Sequence, residues 1–119
     1  MVLNVAGGIG SAGTIETAVG SFQIVNTSGD VDISNTHAGL APDGLVDLTV
    51  STDSGSITFA QSGAPLLVLS ATTTTSGSIN LTGDNGLALV SVSAFNDVSA
   101  MVSSTGAGVA VGSVTGENI

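Results

Sequence analysis

The carboxylates are the main chemical resource of this chain. It has nine acidic residues, one histidine, no Lys or Arg and no Cys. In "GDVDIS" Asp30 and Asp32 alternate with Val31 and Ile33, so both acids fall on one outward face of an extended strand. Glu16, in "GTIET", occupies the slot equivalent to Asp32 one repeat earlier. If the two repeats stack as strands, these carboxylates lie roughly 5 Å apart. Two chemistries fit such a set. Paired carboxylates can do acid–base work on a glycosidic bond, and a hard cation with oxygen ligands relieves their mutual repulsion. Glu16, Asp30 and Asp32 are therefore the calcium candidates. The competing reading is that they are solvated charges that keep an otherwise apolar chain soluble.

Neither chemistry has its usual accompaniment. An acidic polysaccharide would call for an Arg or Lys, and there is none. His37 lies in a Gly- and Pro-flanked stretch with no Ser or Cys nucleophile elbow beside it, as expected of an ordinary surface histidine. The EF-hand loop and the nine-residue glycine-rich calcium repeat are both missing. The expectation is a non-enzyme with no catalytic residues and no cofactor, calcium aside.

Composition narrows the partners. A formal charge of −9 without a basic residue argues against nucleic acid, because phosphate contacts need clusters of Lys or Arg. It argues equally against anionic lipid. There is no run of 18 apolar residues and hence no expected membrane insertion. Met1 runs into "VLNVAGGIG" without a basic or long apolar segment, so no signal peptide is read in this chain. Charged residues make up 8%, against about 25% in ordinary domains. Stability must come from apolar burial and backbone hydrogen bonds, and the 119 residues are enough for one domain, 1–119, with a modest core.

The elements that would position the acids form a repeat. Blocks begin at Gly13, Gly29, Gly55, Gly77 and Gly112, with Asn96 standing in once for Gly as a residue that tolerates a left-handed backbone. The steps are 16, 26, 22, 19 and 16 residues. After each turn one slot is always aliphatic: Ile15, Val31, Ile57, Ile79, Val98 and Val114. Both flanking slots are always polar. That is the period of a half-buried strand, in phase six times. Second strands precede most turns, as in "SFQIVN", "LVDLTVS", "PLLVLSA" and "LALVSVS". Ser-Gly and Thr-Gly turns are not the Asn-Gly type that hairpins favour. The expectation is an all-β, right-handed parallel β-helix, a β-solenoid of about five coils. Ile15, Val31, Ile57, Ile79 and Val98 would stack inside, with Ser, Thr and Asn outside. A pilin-type β-sandwich is the alternative. "NTHAGLAPDG" reads as a loop bulging from the longest coil, "GGIGSAG" as a glycine-rich loop between coils, and Pro65 as a strand opening.

These blocks resemble the repeats of filamentous-haemagglutinin-like secreted adhesins and large exoproteins of bacteria. The likeness is carried mostly by "VAGGIGSAGTIETAVGSFQIVNTSGDVDISN", with "GSITFAQSG" and "GSINLTG" following the same scheme. It implies a right-handed parallel β-helix and a place in an extracellular or cell-surface fibre. It carries over no binding residue. The expected function is a non-enzymatic structural segment of an adhesin or surface fibre that self-assembles end to end as a homo-oligomer. The alternatives are a module binding a host or cell-surface glycan or receptor, and a polysaccharide-active β-helix enzyme.

Two smaller motifs complete the reading. "ATTTTSG" raises the idea of a threonine array for ice, which needs Thr at one outward slot in many coils. The slot after the aliphatic column reads Glu, Asp, Thr, Asn, Ser, Thr, and so disfavours it. Asn26-Thr-Ser and Asn80-Leu-Thr match the N-glycosylation pattern, which chance supplies readily in so Ser/Thr-rich a chain. Neither terminus shows a capping helix or a Lys-rich edge.

Overall fold

The computed structural model describes residues 1–10, 13–39, 44–102 and 108–119. Eleven strands are defined: β1 Val2–Val5, β2 Ile15–Thr17, β3 Ser21–Ser28, β4 Val31–His37, β5 Val46–Ser54, β6 Ile57–Gly63, β7 Leu66–Ser76, β8 Ile79–Gly83, β9 Leu87–Ser93, β10 Val98–Val102 and β11 Val109–Thr115. They alternate between two sheets. The odd-numbered strands form a six-stranded sheet in chain order, and the even-numbered ones a five-stranded sheet. Every strand pairing is parallel. The fold is a β-solenoid of about five coils. The Ile57 block decides against a sandwich, since Ile57 pairs in parallel with Val31 on one side and Ile79 on the other.

Alternation produces this arrangement directly. In β4 and β5 every second side chain is buried, and the two sheets close over one core. Phe22 from one sheet meets Phe59 from the other edge-to-face, with ring centroids 5.1 Å apart at 83°. That geometry suits the positive edge and negative face of the rings.

The sharp corner between the sheets belongs to glycine. Gly29, Gly55 and Gly77 have φ of +86°, +116° and +108°, the left-handed region closed to most side chains. They also stack. A Cβ on Gly77 would overlap the carbonyl oxygen of Gly55, and one on Gly55 would overlap that of Gly29. Asn96 continues the series differently. Its N–H donates to the Gly77 carbonyl at 3.0 Å, but no non-glycine residue has positive φ among the described residues, so the left-handed role expected of it is not taken up.

The first and last blocks depart from the expected phase. Ile15 pairs with Ile33 and not with Val31. The residue bridged to Val31 is Ile9, which is buried, whereas Ile15 on the outer strand is 41% exposed. The corner of the first coil therefore lies at Gly7-Gly8, inside "GGIGSAG", and Gly13 is not its equivalent. At the other end Gly112 sits within β11 in the six-stranded sheet, and Val114 pairs with Val92. Gly is needed there because a Cβ would come within 2.7 Å of the Val90 carbonyl. Of the expected bulging loop, Leu40 to Asp43 lie outside the described residues, while Asn35, Thr36 and His37 belong to β4. Pro65 directly precedes β7, where its carbonyl accepts from the Val46 N–H at 3.0 Å.

The corner stack gives a direct test. Gly77→Ala should lower the unfolding free energy by about 2–4 kcal/mol, through backbone strain and the clash with Gly55. Gly7→Ala should change it by less than about 0.5 kcal/mol, because nothing lies within 4 Å of the added carbon and φ there is not positive. Urea melts of the two variants would check the contrast.

Candidate functional site

Glu16 and Asp32 are not side by side. Glu16 pairs with Ser34, two positions along β4 from Asp32, because the first coil is out of the expected phase. Asp32 is aligned with Thr58. The premise that Glu16 and Asp32 face each other across adjacent coils is thereby corrected. No group of three His, Asp or Glu side chains suited to a metal occurs among the described residues.

Asp30 and Asp32 have structural partners instead. Asp32 Oδ2 accepts from the Thr14 hydroxyl at 3.1 Å. Asp30 begins a ladder along the corner. Its Oδ1 accepts from the Ser56 N–H at 2.8 Å, the Ser56 hydroxyl from the Ser78 N–H at 3.1 Å, and the Ser78 hydroxyl from the Asp97 N–H at 3.2 Å. Asp97 Oδ1 accepts from the Asn118 side-chain amide at 2.9 Å. Asp30, Ser56 and Ser78 thus each clip a backbone N–H of the next coil. This explains why that column holds only Asp and Ser: the position needs a short side chain with an acceptor oxygen. An acid–base pair would need two carboxylates aimed at a common substrate, and Asp30 is already aimed at the neighbouring coil.

His37 ends β4 half-buried and is not a free loop residue. Its Nδ1 accepts from the Gly39 N–H at 2.9 Å. On β5, Asp47 Oδ1 is shielded from solvent with no hydrogen-bond partner among the described residues, not far past the undescribed stretch 40–43.

The largest departure from the sequence reading is inside. Asn26, Asn35, Thr52, Gln61 and Thr73 are all buried, although Ser, Thr and Asn were expected outside. They form two polar columns, one at the end of each sheet. In the first, Asn26 donates to Thr52 Oγ1 at 3.1 Å and to the Gly29 carbonyl at 2.8 Å, while its Oδ1 accepts from the Gly8 N–H at 3.0 Å. Thr73 donates to the Gly77 carbonyl at 3.0 Å and accepts from the Phe95 N–H at 2.8 Å. In the second, Asn35 holds both the N–H and the carbonyl of Val19, each at 2.8 Å, and donates to Gln61 Oε1 at 2.7 Å. Gln61 in turn donates to the carbonyls of His37, Ser62 and Ala64.

These side chains satisfy backbone groups that the turns leave without a sheet partner, which would otherwise cost about 1–3 kcal/mol each. The signal was present in the sequence. In "FQIVN", "VDISN" and "ITFAQ" the amide stands at the third inward position of the alternation. The same burial removes Asn26 as a glycosylation acceptor, being only 2% exposed, while Asn80 is exposed.

What Asp30, Asp32, Asp97 and the buried amides do, then, is tie coil to coil. Neither protein-family models, curated proteins nor solved structures give a match to this chain.

If the buried amides act this way, Asn35→Leu should destabilise by about 2–4 kcal/mol, since it strands the Val19 backbone and Gln61 Oε1 in the interior. Asp30→Asn keeps the acceptor oxygen facing Ser56 and should cost less than about 0.5 kcal/mol. Chemical denaturation of both variants checks this. A large loss in Asp30→Asn would show that the charge itself matters at the corner.

Proposed function

We infer that the chain is a non-enzymatic structural unit, a β-solenoid shaft segment of an extracellular adhesin or surface fibre, built to continue by end-to-end pairing with further coils. The observation that carries this reading is that, among the described residues, each sheet ends on an outermost strand at both ends of the solenoid. At one end β1 and β2 are the outermost strands of their sheets, and at the other β11 and β10 are. Among the described residues β1, β2 and β11 have no strand partner on their outer side, the usual template for adding a strand, whereas the first N–H of β10, that of Val98, donates to the Asn118 carbonyl at 2.8 Å.

Among the described residues the core is open at the C-terminal end as well. A cleft of about 340 Å³ lies between β10 and β11, lined by Leu89, Val98, Val109, Val111, Val114 and Ile119. Val111 and Ile119 are 61% and 78% exposed there, although Val111 is registered with the buried Leu89 of the preceding coil. At the opposite end Leu3 and Val5 are only partly buried against the core.

Register makes the two ends compatible. Val114 continues the inward column of Val92, Ala71, Val50, Ile24 and Leu3. The end of one copy therefore presents the column with which the next copy begins, and Val114 would face Leu3 across the junction. Opposing this is the charge of −9 on each copy. Salt shortens the range of that repulsion to about 8 Å near 0.15 M. Calcium should weaken it further, without needing a dedicated site.

The expected outcome is head-to-tail association that grows with ionic strength, read by light scattering and electron microscopy at high protein concentration. Val111→Lys places a charge in the cleft at the pairing edge and should suppress it. A strictly monomeric wild type at both low and high salt would sink association between copies.

A further inference from the structure

We propose that Asn85-Gly86 is a site of spontaneous covalent modification, where the folded chain deamidates and turns a contact that ties two coils together into one that pushes them apart.

The chain has seven asparagines, and only Asn85 is followed by glycine. Deamidation needs the amide nitrogen of the next residue to attack the side-chain carbonyl carbon. A side chain on that next residue hinders the approach, and glycine has none. Asn4, Asn80 and Asn118 are exposed too, but Val5, Leu81 and Ile119 follow them. Asn26 and Asn35 are buried, with their amides committed to turn backbone. The N–H that follows Asn96, that of Asp97, donates to the Ser78 hydroxyl at 3.2 Å.

At Asn85 the attacking group is uncommitted. Asn85 is exposed in the turn between β8 and β9. That turn is pinned on both sides. The Asp84 N–H donates to the Gln61 carbonyl at 3.2 Å, and the Gly86 carbonyl accepts from the Leu66 N–H at 3.1 Å. The Gly86 N–H, by contrast, has no hydrogen-bond partner among the described residues. Gly86 is buried, yet there is room beside it: a Cβ there would meet the Gly108 carbonyl oxygen at 3.5 Å, an ordinary contact.

The step balances without any co-reactant but water. Base removes the Gly86 amide proton, and the nitrogen forms a bond to Asn85 Cγ. The Cγ–Nδ2 bond breaks, and the amide leaves as ammonia with the proton it needs. Water then opens the succinimide at either carbonyl. One opening gives aspartate. The other gives isoaspartate, in which the backbone runs through the side-chain methylene.

The contacts at the turn decide the consequence. Asp84 and Asn85 together clip Gly63 of the preceding coil. Asp84 Oδ1 accepts from the Gly63 N–H at 3.0 Å, and Asn85 Nδ2 donates to the Gly63 carbonyl at 3.2 Å. Deamidation replaces that donor with a carboxylate. It then faces the Gly63 carbonyl oxygen to oxygen, beside the charge of Asp84, and the chain has no Lys or Arg to neutralise it. Isoaspartate also adds a backbone atom to a turn held at Gln61 and Leu66.

The test is incubation of the folded whole chain in mildly alkaline buffer, then proteolytic mapping by mass spectrometry, with electron-based fragmentation to tell isoaspartate from aspartate. Asn85 should convert faster than Asn80, the exposed asparagine of the adjacent strand, by about tenfold or more. Asn85→Gln keeps an amide donor and should show no conversion at this position over the same period. The converted protein, separated by ion exchange on its extra negative charge, should unfold at lower urea than fresh protein. Asn85→Asp should reproduce the part of that shift due to charge. Conversion of Asn85 no faster than that of Asn80, or conversion only once the chain is unfolded in urea, would overturn the site. A converted protein with the urea midpoint of fresh protein would overturn its effect on the coils.

Discussion

Close approach of backbone to backbone at the corner is the constraint from which the rest follows. Successive coils turn where Gly29, Gly55 and Gly77 each lie against the carbonyl of the glycine before, with no room for a Cβ at Gly55 or Gly77, and Asn96 takes the next corner. Once that contact fixes one point of each coil over the last, parallel in-register pairing fixes all the others. Side chains then stand in columns. A residue type tolerated in one coil must be tolerated beside its counterparts above and below. Uneven coil lengths survive because excess chain is set aside between strands. Residues linked across successive coils are 22, 26, 22 and 19 apart in sequence, and the longest step contains the segment between β4 and β5.

Column logic explains why the middle of the chain was legible in its sequence and the ends were not. Val31, Ile57, Ile79 and Val98 stack as the alternation implied, because period 2 and an in-phase glycine are both local signals. Gly13 and Gly112 carry the same local signal without the same role. A glycine reports that a Cβ is unwelcome. It does not report whether the reason is a corner, as at Gly55, or a neighbouring strand's carbonyl, as at Gly112. The phase of the first coil was settled by Ile9, whose burial depends on contact with the Val31 block 22 residues away. The expected alignment of Glu16 with Asp32 failed for the same reason, since it rested on that phase.

The buried amides were missed on a different ground. Polar residues at inward positions look like breaks in an apolar pattern unless one asks where the turn backbone finds its partners. In a solenoid that question arises in every coil at two places, the two ends of the flattened cross-section. Asn26, Thr52 and Thr73 answer it at one end, and Asn35 and Gln61 at the other. The hydroxyls and amides of the chain are thus divided. Those at the ends of the cross-section are consumed by the fold. Several on the outer face of the six-stranded sheet, such as Ser91 and Ser113, are left to solvent.

The same stacking constrains the charge. With no Lys or Arg, a carboxylate can be neutralised by no partner other than His37 or the amino terminus, and an acid repeated in adjacent coils would face its own kind at strand spacing. The register avoids this. Asp32 lies beside Thr58, Asp47 between Ser21 and Leu67, and Glu16 beside Ser34. In the corner column Asp30 and Asp97 are separated by Ser56 and Ser78, which do the same clipping with a neutral oxygen. No two carboxylates are aligned in any of the registered strand pairs. An entirely acidic solenoid thereby avoids like charges face to face in its registered strand pairs, so its repulsion is spread along the shaft. What remains is a long-range field on the whole body, felt most strongly where another acidic body approaches its end.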